Sequence, residues 1–373
     1  MKKFLLIILI FSVLYTTGCW DMVEINDRVY PYSIGYDLDP SGEQPYIISY
    51  TYPNINAIGK NASSEDRVYL VSTPAKSSFD AIEKLTTKMS QPIYLKHLKV
   101  IVMSEEVAKN EKLVREIVDG IKRDFIATKN VQMTVVKEKA QSILEASLIK
   151  NKQARIEGLF YGMLINEQNS TLFSSKTLNN FIEEIDISGS SVVPLVMEGK
   201  EEIIFSGGAI YKGYKLIGYL EPLDIKSIKY LNNNIKEDDF DVNYKGDNLS
   251  LSIIKSKSKK SLIGKEDLKI KFDIEVEAYI HSYINDKSKE IDEEKVLEDM
   301  QDTVAQHINN ELNRTITKIQ KEYEIDALFI GDYLRKYHNN LWEQIESNWQ
   351  EIYPDIEIEP EVKVVIRRVG LSK

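Results

Sequence analysis

Along residues 268–280 the chain alternates without a break. Leu268, Ile270, Phe272, Ile274, Val276, Ala278 and Ile280 are apolar, and Lys269, Lys271, Asp273, Glu275, Glu277 and Tyr279 stand between them. A period of two predicts a strand with one buried and one wet face. From about Asp292 to Tyr323 the period becomes helical, with a stripe of Val296, Met300, Val304, Ile308, Leu312, Ile316, Ile319 and Tyr323. Such a helix is on the order of 45 Å long. The stripe predicts packing on the sheet that holds 268–280; docking on a partner is the alternative. Lys318 is expected on the solvent face. A shorter helix carries Leu334, Leu341, Trp342, Ile345 and Trp349 and ends before Pro354. Ile356, Ile358, Val362, Val364 and Ile366 then alternate as a last strand. The C-terminal region therefore reads as antiparallel strands with one long helix and one shorter helix.

The first half mixes the two periods more closely. Val29 to Leu38 and Tyr46 to Tyr52 read as strands joined at Asp39-Pro40-Ser41-Gly42. A polar loop is expected from Pro53 to Asp66, then a short strand at Val68 to Val71. Ser77-Ser78 opens a helix through Phe79, Ile82, Leu85 and Met89. Leu98 to Met103 is a continuous apolar run, the pattern of a strand buried on both faces. A helix through Leu113, Val114, Ile117, Val118 and Ile121, a strand at Val131 to Val136 and a helix at Ala140 to Ser147 follow. Gly158 and Gly162 suggest close helix packing, and Thr177 to Ile185 is helical. Ser188 to Ser191 reads as a linker and Val192 to Met197 as a strand, so a boundary is expected near Gly199. Beyond it come a hairpin at Ile203 to Tyr211 and Tyr214 to Leu220, a helix at Leu223 to Leu231 and a surface connection at Asn232 to Asp247. A strand from Leu249 to Ile254 runs into Lys255-Ser-Lys-Ser-Lys-Lys260, expected as a solvated hairpin tip, with contact to anionic lipid as the alternative. The predicted class is α+β, multidomain, with mixed sheets covered by helices.

The N-terminus departs from both periods. Lys2 and Lys3 precede an apolar run from Phe4 to Tyr15, then Thr16, Thr17, Gly18 and Cys19. A membrane span needs about 20 apolar residues, so this shorter run reads as a signal-peptide core with small residues before the cleavage point. Cys19 is the single cysteine of 373 residues. A thiol immediately after such a cut is a substrate for a diacylglycerol, and Cys19 is the expected lipidation site. An ordinary secretion signal is the alternative. With one cysteine the chain has no intrachain disulfide. A net charge of -10 argues against nucleic-acid binding, which needs clustered Lys and Arg.

No chemistry is legible. His97, His281, His307 and His338 are not spaced as metal ligands. A nucleophile elbow, a Walker loop and a dinucleotide fingerprint are all missing. The acidic runs Glu237-Asp238-Asp239 and Asp292-Glu293-Glu294 lack the glycine and spacing of a calcium loop. No enzyme, no cofactor and no metal is expected; binding of a small molecule stays open.

Several short stretches go further together than singly. They are Gly18-Cys19-Trp20-Asp21 with Glu24-Ile25, Ser78-Phe79-Asp80-Ala81, and His97-Leu98-Lys99-Val100-Ile101-Val102 with Ser104-Glu105-Glu106. They continue with Ser206-Gly207-Gly208-Ala209-Ile210-Tyr211-Lys212, Leu216-Ile217-Gly218-Tyr219-Leu220, Asp326-Ala327-Leu328-Phe329-Ile330-Gly331, Trp342, Trp349 and Arg368-Val369-Gly370-Leu371. In this order the chain resembles the Ger(x)C, or GerAC-like, family of spore germination lipoproteins, the C subunits of nutrient germinant receptors. The resemblance implies a palmitate-labelled lipoprotein on the outer face of the spore inner membrane, acting with integral-membrane A and B subunits to trigger germination, without catalytic residues. The implied division is a signal peptide at 1–18, an N-terminal domain at 19–198 and a C-terminal domain at 199–373, with 199–262 open as a separate small lobe. The competing reading is an extracytoplasmic solute-binding lipoprotein that delivers a ligand to a transporter.

Overall fold

The computed structural model describes residues 28–54, 68–89, 91–124, 130–150, 159–200, 202–264, 267–283 and 294–367. Cys19, most of the loop expected from Pro53 to Asp66, Gly158, the expected start of the long helix at Asp292 and the closing Arg368–Leu371 lie outside them.

Strands β1 (Ser33–Leu38), β2 (Tyr46–Pro53) and β3 (Val68–Ala75) form an antiparallel meander. β4 (Val100–Ser104), β5 (Gln132–Val136) and β6 (Ser190–Glu198) then add in parallel beside β1. β7 (Ile203–Lys212) and β8 (Lys215–Leu220) close the sheet antiparallel, giving eight strands in the order β3-β2-β1-β4-β5-β6-β7-β8. The crossovers are helical: α1 (Ser78–Thr86), α2 (Glu105–Ala108), α3 (Glu111–Asp124), α4 (Ala140–Lys150), α5 (Leu159–Ile165) and α6 (Leu178–Ser188). Ile101, Met103 and Met133 pack with Leu85, Val114 and Phe181 from α1, α3 and α6. Their neighbours Val100, Val102 and Val136 pack the other way, on Ile143, Leu144 and Phe160 from α4 and α5. Every residue of β4 and β5 is buried, which is why this stretch reads as an unbroken apolar run.

The second sheet has the order β12-β11-β10-β9, from β9 (Asp238–Tyr244), β10 (Asp247–Gly264), β11 (Lys269–Tyr283) and β12 (Glu357–Arg367). Helix α7 (Pro222–Leu231) carries the chain from one sheet to the other. Helix α8 (Glu294–Thr317) ends in a π-helical turn at Lys318–Glu322, and α9 (Ile330–Tyr337), α10 (Asn339–Ile345) and α11 (Trp349–Ile352) follow. Met300, Val304, Ile308, Leu312, Ile316 and Ile319 are all buried against Ile270, Phe272, Ile274 and Val276, so the stripe is core. The α+β class with mixed, helix-covered sheets is what the structure has.

Several expectations change. β9, β10 and β11 are antiparallel, but β12 runs parallel to β11, because the helices between them return the chain to the end where β11 began. The single shorter helix is three, gathered around an aromatic cluster in which the Trp342 and Trp349 rings lie 5.3 Å apart. Ser190 and Ser191 are buried in β6, not a linker. The boundary expected near Gly199 falls inside the β6–β7 hairpin, so the first sheet continues through it to Leu220; of the 199–262 stretch, β7 and β8 belong to one sheet and β9 and β10 to the other. The Asn- and Asp-rich connection contains β9, which turns into β10 at Lys245 and Gly246, both at positive φ (52° and 98°). Phe79 is exposed, and Ala81 and Leu85 are the buried face of α1. Nothing lies within 4 Å of where a Gly162 side chain would begin, so that glycine serves no close helix contact.

The lysine run is also redrawn. Lys255 to Lys260 lie within β10, paired with β11 on one side and beyond the stretch that pairs with β9. Ser258 donates its hydroxyl to Leu231 O at 2.9 Å, and Lys260 donates to Leu328 O. On the wet face Lys255 pairs with Glu277 at 3.1 Å.

Candidate functional site

The two sheets meet along β7, β8, α7 and the end of α8. Two glycines of the quoted stretches lie in this seam. A side chain on Gly208 would begin 2.9 Å from Ile225 Cδ1 of α7, and one on Gly218 would begin 2.4 Å from the Tyr323 ring. Both are close approaches that only a missing Cβ permits. Asp224, fully buried on α7, accepts from Glu221 N at 3.0 Å and closes the N-terminus of its own helix. It also takes Lys318 Nζ at 2.6 Å and Thr315 Oγ1 at 3.3 Å. Lys318 is therefore not a free solvent-face residue. Lys212 and Glu324 add an exposed pair at 3.0 Å.

Beside the seam opens a cavity of about 260 Å³ between α6, the start of β6, α7 and residues 325–329. A second hollow of about 240 Å³ adjoins it across Phe329, reaching Asp332 and Lys336. Phe329 holds a left-handed φ of 54°, a conformation that costs a bulky residue energy, and its ring borders both spaces. The Asp326 carboxylate sets that turn by accepting from Ile330 N at 3.0 Å and Gly331 N at 2.7 Å. Burial pushes its carboxyl up from the usual range, while the two N–H groups and Lys260 pull against the shift.

The charged groups of the cavity are already engaged. Lys176 pairs with Glu184, both nearly buried. Lys229 donates to Ser170 O at 2.7 Å, Phe173 O at 3.2 Å and Glu167 O at 3.3 Å. Burial lowers its ammonium from the ordinary lysine value, with Glu167 opposing. What remains unspent is neutral: the Ser190 hydroxyl and the Asn232 side-chain carbonyl are buried without a hydrogen-bond partner. Among the described residues no histidine or cysteine lines the cavity. The Ser191 hydroxyl donates to Glu184 Oε2 at 2.5 Å, and that carboxylate is shared with Lys176. The arrangement can hold a small polar group or water by hydrogen bonds.

The sequence pointed to Cys19 as the site residue, and Cys19 lies outside the described residues. The histidines are scattered: His97 meets the Tyr30 ring at 5.0 Å, His307 stacks on Phe240 at 6.1 Å, and His338 is 3.3 Å from the Tyr333 hydroxyl. Among the described residues no three His, Cys, Asp or Glu side chains converge as metal ligands, and no helix is long and apolar enough to cross a membrane. The cavity itself was missed by sequence reasoning, because its walls come from segments spread between Glu167 and Phe329. The one local signal was Asp326-Ala327-Leu328-Phe329, quoted for its likeness and not for its geometry.

Fold and seam together define an α+β protein of two mixed sheets joined by glycine-mediated contacts and a buried aspartate. Residues 21–197 match the family described as Spore germination protein N-terminal domain, and residues 206–370 match Spore germination B3/GerAC like, C-terminal. The chain belongs to this GerAC-like family of spore germination proteins. It is 20% identical to Spore germination protein B3 of Bacillus subtilis (strain 168), over 97% of each chain. It is 21% identical to Spore germination protein GerQC of Bacillus cereus, over the full length of both. The crystal structure of the GerBC protein shares the fold, with a TM-score of 0.56 at 17% identity, covering 93% of this chain and 99% of that one.

Proposed function

We propose that this protein is the lipid-anchored C subunit of a spore nutrient germinant receptor. It is held at Cys19 on the extracytoplasmic face of the spore inner membrane and acts with integral-membrane A and B subunits to trigger germination, without catalysis of its own. The observation that carries this is the full-length family match, whose first segment starts at residue 21, directly after the signal-like run and Cys19. Two acyl chains hold a protein on a membrane stably where one does not. A cavity whose charged groups are already held by ion pairs or backbone hydrogen bonds suits a binding and assembly role better than a catalytic one. We divide the chain into a signal peptide at 1–18 and modules at 19–198 and 199–373, the second lending β7 and β8 to the sheet of the first.

The test is Cys19→Ala in the sporulating cell. Loss of palmitate label, release from membranes and loss of co-purification with the A and B subunits are the expected results. Unchanged label and retention would end the lipoprotein reading. A wild-type protein extracted as a monomer with bound solute and no membrane subunits would favour solute delivery.

A further inference from the structure

The parallel strands of the first sheet enter from one end. Ser33, Val100 and Gln132 are level in register, so Arg28–Tyr32, Tyr94–Lys99 and 130–131 lie together there. Tyr94 N donates to Val29 O and Lys99 N to Tyr32 O, each at 2.8 Å. The side chains at this end are basic and aromatic. The Arg28 guanidinium is 4.5 Å and Lys96 Nζ 5.2 Å from the centre of the Tyr94 ring. Tyr30 stands edge-on to Tyr94, and Lys99 Nζ lies 5.4 Å from the Tyr161 ring. Lys96 and His97 are exposed; Arg28, Tyr30, Tyr94, Lys99 and Tyr161 are half-buried. None of Arg28, Lys96 and Lys99 has a carboxylate partner among the described residues. Hydrogen bonding from Lys96, then the charges of Lys96 and Arg28, hold the Tyr94 phenol below its usual range, a sign of a positive local field. The opposite ends of the same strands run into Asp37, Asp39, Glu105, Glu106 and Glu138, where carboxylates mix with lysines.

We propose that this basic, aromatic end of the eight-stranded sheet is the face the protein lays against an anionic membrane surface. The inference rests on the anchor at Cys19. Eight residues lie between Cys19 and Arg28, a reach of at most about 30 Å when fully extended, so the anchor delivers this end to the bilayer. A chain with a net charge of -10 is repelled by anionic headgroups in most orientations. A cationic end whose Arg28, Lys96 and Lys99 have no carboxylate partner among the described residues gives one orientation that is attracted, and tyrosines sit well at the headgroup level.

The experiment uses the full chain carrying Cys19→Ala, so that no acyl chain contributes, with phosphatidylglycerol-containing vesicles compared with pure phosphatidylcholine. We expect a salt-sensitive preference for the anionic vesicles. Arg28→Gln/Lys96→Gln/Lys99→Gln should reduce it roughly 100-fold, about 5-fold for each charge. The charge-keeping Arg28→Lys/Lys96→Arg/Lys99→Arg should retain it. So should Lys257→Gln/Lys259→Gln/Lys363→Gln on the second sheet, with all melting temperatures alike. Equal loss in the two glutamine triples, or no loss in the first, overturns the proposal. So does a first triple that keeps vesicle binding but no longer co-purifies with membrane subunits, which would make this face a protein interface. Palmitate labelling of the wild-type chain reads the anchor separately: absent label sinks the anchor, whereas present label without vesicle preference sinks only the surface.

Discussion

The two sheets solve burial differently. The eight-stranded sheet is covered on both faces, so neighbouring residues such as Ile101 and Val102 are both core. The four-stranded sheet is covered by α8 on one face only. Its other face is a ladder of charges, with Lys269 on Glu357 at 2.9 Å and Arg367 on Glu277 at 2.9 Å. The difference teaches where each half can host polar function. The central strands of the first sheet have no free face, so their exposed chemistry is confined to strand ends; the second sheet offers a whole open face.

The largest test of this contrast puts a charge at successive positions. Ile101→Asp and Val102→Asp should each prevent folding, because an unpaired buried carboxylate costs several kcal/mol against a total of about 5–15 kcal/mol. In β11, Val276→Asp should do the same while Glu275→Val leaves the melting temperature unchanged. A tolerated Val102→Asp would show that α4 and α5 do not cover that face. Next in size is Leu312→Ala, expected to cost about 2–5 kcal/mol in urea unfolding. A normal melting temperature with weakened assembly would instead make the stripe a partner surface.

The third test is a pH dependence. Burial, opposed by Asp326 and Asp332, pushes Lys260 down to about 8 from an ordinary 10.5. Between those values the unfolded chain holds the proton that the folded chain has released, so stability rises with pH. Below about 8 both states are protonated and the penalty is constant. The rise is worth about 3 kcal/mol across the window. Lys260→Met should abolish it, read as the difference between variant and wild type in unfolding free energy at successive pH values. Parallel profiles for the two proteins would place Lys260 in solvent. The smallest effect belongs to the seam. Lys318→Ala strips one cation from buried Asp224 and should cost about 1–3 kcal/mol; Tm unchanged would mean that Arg314, 3.5 Å from the same carboxylate, and Thr315 suffice.

Much of the fold was legible where one physical demand governed a stretch. The alternation over Leu268–Ile280, the α8 stripe and the unbroken Leu98–Met103 run each report a single environment. The β7–β8 hairpin and the Ser77 and Thr177 caps are local for the same reason. The lysine run shows the limit. Lys-Ser-Lys-Ser-Lys does alternate, but its inner positions are the serines Ser256 and Ser258, of which Ser258 bonds to Leu231 O and Asn233 Oδ1, so no apolar signal marked them. The cavity was illegible because Ser190, Lys229, Asn232 and Phe329 come from segments far apart in the chain.

By itself the sequence determined the periods, most of the elements, the family and the anchor expected at Cys19, all carried by neighbours within a few residues of one another. Tertiary structure alone decided that β12 would run parallel, that Gly199 would not end a sheet, and that Asp37, a strand residue, would cap α4 by accepting from Ala140 N at 2.7 Å and Gln141 N at 2.9 Å. It alone brought Asp224 to Lys318 and left Ser190 unpartnered over a cavity. These depend on which surfaces meet after the helices cross, a matter of loop closure and packing between distant segments that no local pattern encodes.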